Sequence, residues 1–317
     1  MTDTPASTLT TPTAREGSSL HYSLLWTAPD ARERFLNRLA LIKAMATTLD
    51  EVQEPTVAEK KIHWWHEELQ RLHDGTARHP ATQLNQQVLA NLAPAQAACL
   101  EVVSVASTQR FTPPQTIELA QAALVRSFKA KLALLTHALS DEVADLDSAA
   151  HPASAALAFA LHDQLIRLPT LIHRGLPVFS DELYKRYNIR PHDLAEHIRV
   201  ADDDNNATTS DKVASTTEPS IRKSGSLNNI PIVMEKPGRK ELLGHAMSSC
   251  RSAFIAAIAD ADCKQRYRSK PALPIWRLLM LRKYQLELWH KQQPDLLRER
   301  TTLTPLVKFF RAWQHRR

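Results

Sequence analysis

The chain has 317 residues, 40 Lys and Arg against 34 Asp and Glu, and a formal net charge of +6. That length can bury a sizeable core, as one large domain or two small ones, and the basic balance favours anionic partners: diphosphates, acidic lipid or nucleic acid. With 6 glycines, no hairpin signal, and Ala, Leu, Gln, Glu, Lys and Arg dominant, the composition excludes a β fold and predicts an all-α one.

Residues 1–18 are rich in Thr, Pro and Ser and read as a disordered tail ahead of a helical domain over 19–317. After Ser19–Trp26 and Pro29, a helix is expected from about Ala31 to the turn at Pro55. A second runs to Gly75, with Thr56 and Glu59 as a capping box and Gly75 as its left-handed terminator. Its stripe Ile62, Trp65, Leu69 and Leu72 is expected to be buried, with Glu67 and Arg71 paired on the wet side. Pro80 starts a third helix through Leu92, and a short one follows over Ala95–Ser107. Thr112 and Pro113 are expected to cap a long helix to Ser140 that packs through Leu119, Ala122, Arg126, Leu132 and Leu135. Further helices are read over Ala153–Pro169, Glu182–Tyr187, His192–Val200, Glu241–Asp260, Pro274–Lys291 and Thr304–Trp313.

Residues 201–238 break the pattern. Their Asp, Asn, Ser and Thr content carries no periodicity, so they read as a mobile surface insertion within the domain. Cys99, Cys250 and Cys263 have neither disulfide nor metal spacing and suit a reducing compartment. Met1–Ser19 lacks the apolar segment of a signal peptide, and no run of 18 apolar residues is present, so no membrane span is expected. A cytoplasmic protein follows, with peripheral association at the inner face of the membrane as an option.

Leu39–Pro80 carries a family resemblance. An Arg-x-x-x-Leu lead-in, Asp50-Glu51-Val52 followed by Pro55, a Trp64-Trp65-x-Glu67-Glu68 helix and a Gly75-x-x-x-His79-Pro80 ending resemble the squalene/phytoene synthase family. In the second half, Arg174-Gly175 through Ile189 and Leu273-Pro274-Ile275-Trp276-Arg277 add to the likeness, which covers roughly Ser19 to Trp313. It implies an isoprenoid synthase-type helical bundle with a central cavity.

Two departures set the functional expectation. Where active members show Asp-Asp-x-x-Asp, this chain reads Ala46-Thr47-Thr48-Leu49-Asp50. Where they carry a second carboxylate motif after Gln-Leu, Gln164-Leu165 is followed by Ile166-Arg167-Leu168-Pro169. The Arg-Leu-Pro run is more like the branch that includes a mitochondrial complex I assembly factor. Mg²⁺ requires oxygen ligands, and Ala46, Thr47, Ile166 and Leu168 do not replace the carboxylates. The expectation is therefore a repurposed or non-catalytic member, a pseudoenzyme, that binds an isoprenoid or lipid or serves a membrane-protein complex, without metal or other cofactor.

The alternative is a prenyltransferase condensing farnesyl or geranylgeranyl diphosphate head to head with Mg²⁺ in a reduced site. Its catalytic candidates are Asp50 and Asp163, with Asp181 as a further carboxylate. Lys43, Arg167 and Arg174 are the candidate grips for an anion, and the resemblance adds Trp65 to the substrate-binding set. Glu51 and Glu54 read as helix-end solvation and His63, His66, His73 and His79 as a solvated face, since no third ligand stands in register. No nucleic-acid motif accompanies the high pI, so a nucleic-acid partner is not expected. The tail Lys308–Arg317 mixes bases and aromatics, which suits either an anionic membrane surface or docking into the core.

Overall fold

The computed structural model describes residues 14–50, 52, 54–112, 114–194, 237–292, 294–297 and 302–316. Among them the chain is all-α, as the composition predicts. The helices are α1 (Ser19–Leu24), α2 (Pro29–Ala46), α3 (Pro55–His73), α4 (Pro80–Leu89), α5 (Ala93–Phe111), α6 (Ile117–Ser140), α7 (Ala153–His173), α8 (Asp181–Arg186), α9 (Pro237–Ala259), α10 (Ala261–Tyr267), α11 (Leu273–Gln292) and α12 (Pro305–Gln314). Proline opens α2, α3, α4 and α12, where its fixed φ suits the first turn and its missing N–H costs nothing.

α6 is the central post, packed against α2, α5 and α7, while α9 lies along α7 and α11 against α1 and α12. One core cluster gathers residues of α7, α9 and α11; the other joins α2 to α5 with the inner face of α6, and Leu135 touches both. α9 is long and apolar enough to cross a membrane, which the count of consecutive apolar residues does not register. Here its Leu242, Cys250, Phe254 and Ala257 are buried in the first cluster.

Several local expectations are corrected. α3 starts at Pro55, two residues earlier than a capping box on Thr56 requires, so Thr56 lies in the first turn, and the N-cap residue Glu54 makes no side-chain cap bond. α6 begins after Thr116, whose hydroxyl accepts from the Leu119 amide at 3.3 Å, not after Thr112. Leu119 is 58% exposed and the Arg126 side chain 59% exposed, so that face is wet; burial begins near Ser127 and surrounds the second half of the helix. α7 continues past Pro169 to His173. The proline deprives the Leu165 carbonyl of its usual donor, yet Ile172, 3% exposed in the core, holds the extra turn.

Gly75, at φ +73°, ends α3 as expected. Gly238 answers to space instead: a Cβ there would run into the Tyr187 carbonyl. Ordered structure begins ahead of Ser19, since the Ser18 hydroxyl caps α1 and Lys308 donates to the Gly17 carbonyl. The insertion read over 201–238 lies outside the described residues, except for Pro237 and Gly238, which open α9. Most of the helix read over His192–Val200 lies outside them as well.

Candidate functional site

Helices α2, α6, α7 and α11 wall a cavity of about 420 Å³. Phe35, Leu39 and Ile42 of α2, Leu132 and Leu135 of α6, Phe159 of α7, and Ile275 and Leu278 of α11 make most of its surface apolar. Lys43, Lys131, Asp163, Arg167 and Arg282 share the same wall. A smaller space of about 130 Å³ adjoins it through Ala46, Phe128, Lys131, Asp163 and Arg167, and adds Asp50. Lys131, Asp163 and Arg167 therefore stand where the two compartments meet.

Each charge is placed by its helix. Asp50 follows the turn that ends α2, and Arg167 projects from α7 one turn after Asp163. The Arg167 guanidinium donates to the Asp50 carboxylate and lies 3.7 Å from that of Asp163. Both carboxylates therefore converge on one cation. Lys131, in an otherwise apolar stretch of α6, is desolvated, and its pKa is pushed down to about 8. Asp163 and Asp50 pull it back up, while Arg167 opposes them. Arg282 stacks on Phe159, 5.0 Å from the ring centre; burial lowers its pKa, and Asp163 and Cys250 partly restore it. Four cations, Lys43, Lys131, Arg167 and Arg282, thus face two carboxylates. Desolvated cations beside an apolar chamber are suited to an anionic head on an apolar tail.

The structure unites Asp50, Asp163, Lys43 and Arg167 but separates Arg174 and Trp65 from them. Arg174 caps the exposed end of α7 and lines neither compartment. Trp65 is 3% exposed in the α2–α6 core, and its indole N–H donates to the Thr48 hydroxyl at 2.8 Å. It supports the end of α2 from behind. Asp181 opens α8 outside both compartments, Glu54 precedes α3 without a side-chain cap bond, and Glu51 lies outside the described residues. Sequence reasoning missed Lys131 and Arg282. Their signal is weak: Lys131 opens onto the apolar run Leu132–Leu135 two residues after Lys129, and Arg282 closes the run Leu278–Leu281 directly before Lys283.

Glu68, from the Trp-Trp-x-Glu-Glu helix, is fully buried away from the cavity. It accepts from the Arg78 and His79 amides at 2.8 and 2.7 Å, from the Thr82 hydroxyl, and from Arg71 at 2.9 Å. Burial alone would raise its pKa, but these donors hold it below the usual carboxylate value. It fastens α3 to the start of α4.

Mg²⁺, which the family resemblance implies, does not fit the residues present. Asp50 and Asp163 are both engaged by Arg167, Lys131 lies in the field of both, and Ala46 and Thr47 line the wall beside them. Among the described residues no group of three or more His, Cys, Asp or Glu gathers closely enough to hold a metal ion.

Comparison with known proteins agrees with this architecture. The structure is similar to the crystal structure of a dehydrosqualene synthase in complex with ligand, with a TM-score of 0.59 and 11% sequence identity, covering 94% of this chain and 91% of that one. At that identity the likeness shows the fold: the all-α bundle is of the isoprenoid synthase type. No curated protein sequence matches the chain. The profile of the squalene/phytoene synthase family matches residues 13–230, more than half of the sequence, and the chain belongs to that family.

Proposed function

We propose that this family member uses its cavity as a binding site for an isoprenoid or other lipid with an anionic head, held by cations without a metal. The observation that carries the reading is the Arg167–Asp50 ion pair. It occupies the place where the resemblance calls for a metal-bridged diphosphate, and Lys131 and Arg282 supply further positive charge beside it. The apolar wall from Phe35 to Leu278 accommodates the tail. In this reading the protein is non-catalytic or repurposed, and serves a membrane-protein complex or quinone-related metabolism. The Arg167-Leu168-Pro169 run supports its place beside the branch of the respiratory complex assembly factor.

A second reading, an active prenyltransferase with a reduced metal site, requires Mg²⁺ to displace Arg167 from Asp50 and Asp163, two carboxylates that stand close enough to share one cation. Incubation with farnesyl or geranylgeranyl diphosphate and Mg²⁺, followed by product analysis, separates the two. The binding-protein reading expects the diphosphates to be recovered intact. A squalene- or phytoene-like hydrocarbon overturns it.

A further inference from the structure

α12 is docked inside out. Its polar residues make the attachment: Lys308 is buried and donates to the Gly17 carbonyl at 2.8 Å, and Arg311 donates to the Tyr284 hydroxyl at 3.4 Å. Arg277 of α11 pins the end of the helix by donating to the carbonyls of His315 and Arg316 at 3.1 and 3.2 Å. Apart from Ala312, which is buried, the apolar residues face away. Leu306 is 77% exposed, Phe310 50% and Trp313 41%, and their i, i+4, i+7 spacing makes one outward stripe. Phe309, also exposed, continues it to the exposed Trp26, with 6.0 Å between ring centres. Single exposed apolar residues are ordinary, whereas a contiguous aromatic patch marks an interaction surface.

The surroundings identify the partner chemistry. α12, PLVKFFRAWQ, carries no carboxylate. The Arg316 guanidinium lies 4.1 Å from the Trp313 ring centre. His315 is pushed down by burial and then by Arg268, Arg311, Arg277 and Lys283, so cations crowd the end of the helix. Beside it a cleft of about 480 Å³ is lined by Trp26, Lys270, Arg277 and Arg316 among others. A surface helix with an aromatic outer face and a basic rim is the arrangement that inserts shallowly into an anionic bilayer.

We propose that α12, with Trp26, is the surface by which this protein binds anionic membranes, through Leu306, Phe310 and Trp313 inserted among the lipids and Arg316 and Lys270 at the headgroups. The surface is independent of the cavity and of what the cavity holds.

Flotation with phosphatidylcholine vesicles, with and without phosphatidylglycerol, tests the proposal on the full chain. Binding is expected to the anionic vesicles and to weaken with added salt. The double substitution Leu306→Asp and Phe310→Asp touches only exposed side chains and is expected to reduce partitioning about tenfold or more, with the circular dichroism melt unchanged. Trp313→Phe, which leaves the apolar face in place, is expected to remove the largest share of tryptophan quenching by brominated lipid. Failure to float with anionic vesicles, or equal flotation of the double variant, overturns the proposal. So does light scattering that shows a wild-type dimer which the double variant dissolves, since the stripe then serves a second copy of the chain.

Discussion

The Arg167 guanidinium of α7 donates to the Asp50 carboxylate beyond the end of α2, closing one helix onto the other at the junction of the two compartments. The pair is only partly exposed, at 28% and 14% of its side chains. A double-mutant cycle with Asp50→Asn and Arg167→Gln, read by urea denaturation, is expected to give a coupling of about 1–2 kcal/mol, between the values for exposed and buried pairs. Asp50→Asn also frees Arg167 and removes a negative charge. Its affinity for farnesyl diphosphate is expected to rise, roughly severalfold, while its stability falls. A parallel loss of both would mean that Asp50 contacts the ligand.

Lys131 links stability and binding in opposite directions. Its folded pKa of about 8 lies below the ordinary lysine value, so between those values the unfolded chain binds more protons and stability rises with pH. Below about 8 the desolvated ammonium is a cost of roughly 1–3 kcal/mol. Lys131→Met is therefore expected to raise the melting temperature at neutral pH and to weaken binding of an anionic ligand. Wild-type affinity is expected to decline as pH rises through about 8, and the Met variant to show no such step. Calorimetric titrations across that range measure both.

Glu68 supplies a separate structural test. Its four donors favour the ionised form, so its contribution is present above the unfolded carboxylate pKa and is lost as pH falls through the lower folded value. Glu68→Ala leaves the Arg78 and His79 amides without their acceptor, while the Thr82 hydroxyl keeps the His79 carbonyl and Arg71 keeps Glu67. It is expected to cost about 3 kcal/mol in denaturant unfolding at neutral pH, and to flatten the acid limb of the stability profile.

The helices were legible because their signals are local. Pro55, Pro80 and Pro305 sit in first turns, Gly75 terminates α3, and the stripe through Trp65, Leu69 and Leu72 is buried. The long helix α6 misled because its second half is buried on most sides, which erases the periodicity that would identify the inward face. The site was half legible. Asp50, Asp163, Lys43 and Arg167 lie near recognisable motifs, whereas Lys131 and Arg282 come from helices distant in the chain and join only through packing. Trp65 carries a motif signal but serves the core, since a buried aromatic that supports a site leaves the same trace as one that lines it.

Gly238 tests the packing of α9 on the segment around Tyr187. Gly238→Ala places a methyl against a backbone carbonyl that has no rotamer to escape through. A destabilisation of about 1–3 kcal/mol is expected, as for other overpacked positions, whereas Gly244→Ala, whose added methyl meets open space, is expected to be neutral or stabilising. Thermal melts of the two variants provide the comparison.

The metal-free anion site is the central claim, and isothermal titration with farnesyl diphosphate tests it most directly. Run in EDTA and again in Mg²⁺, the titrations are expected to give the same stoichiometry and affinities within a few-fold, with Lys131→Met weakening both alike. Binding that appears only with Mg²⁺, and is abolished by Asp50→Asn, would contradict it.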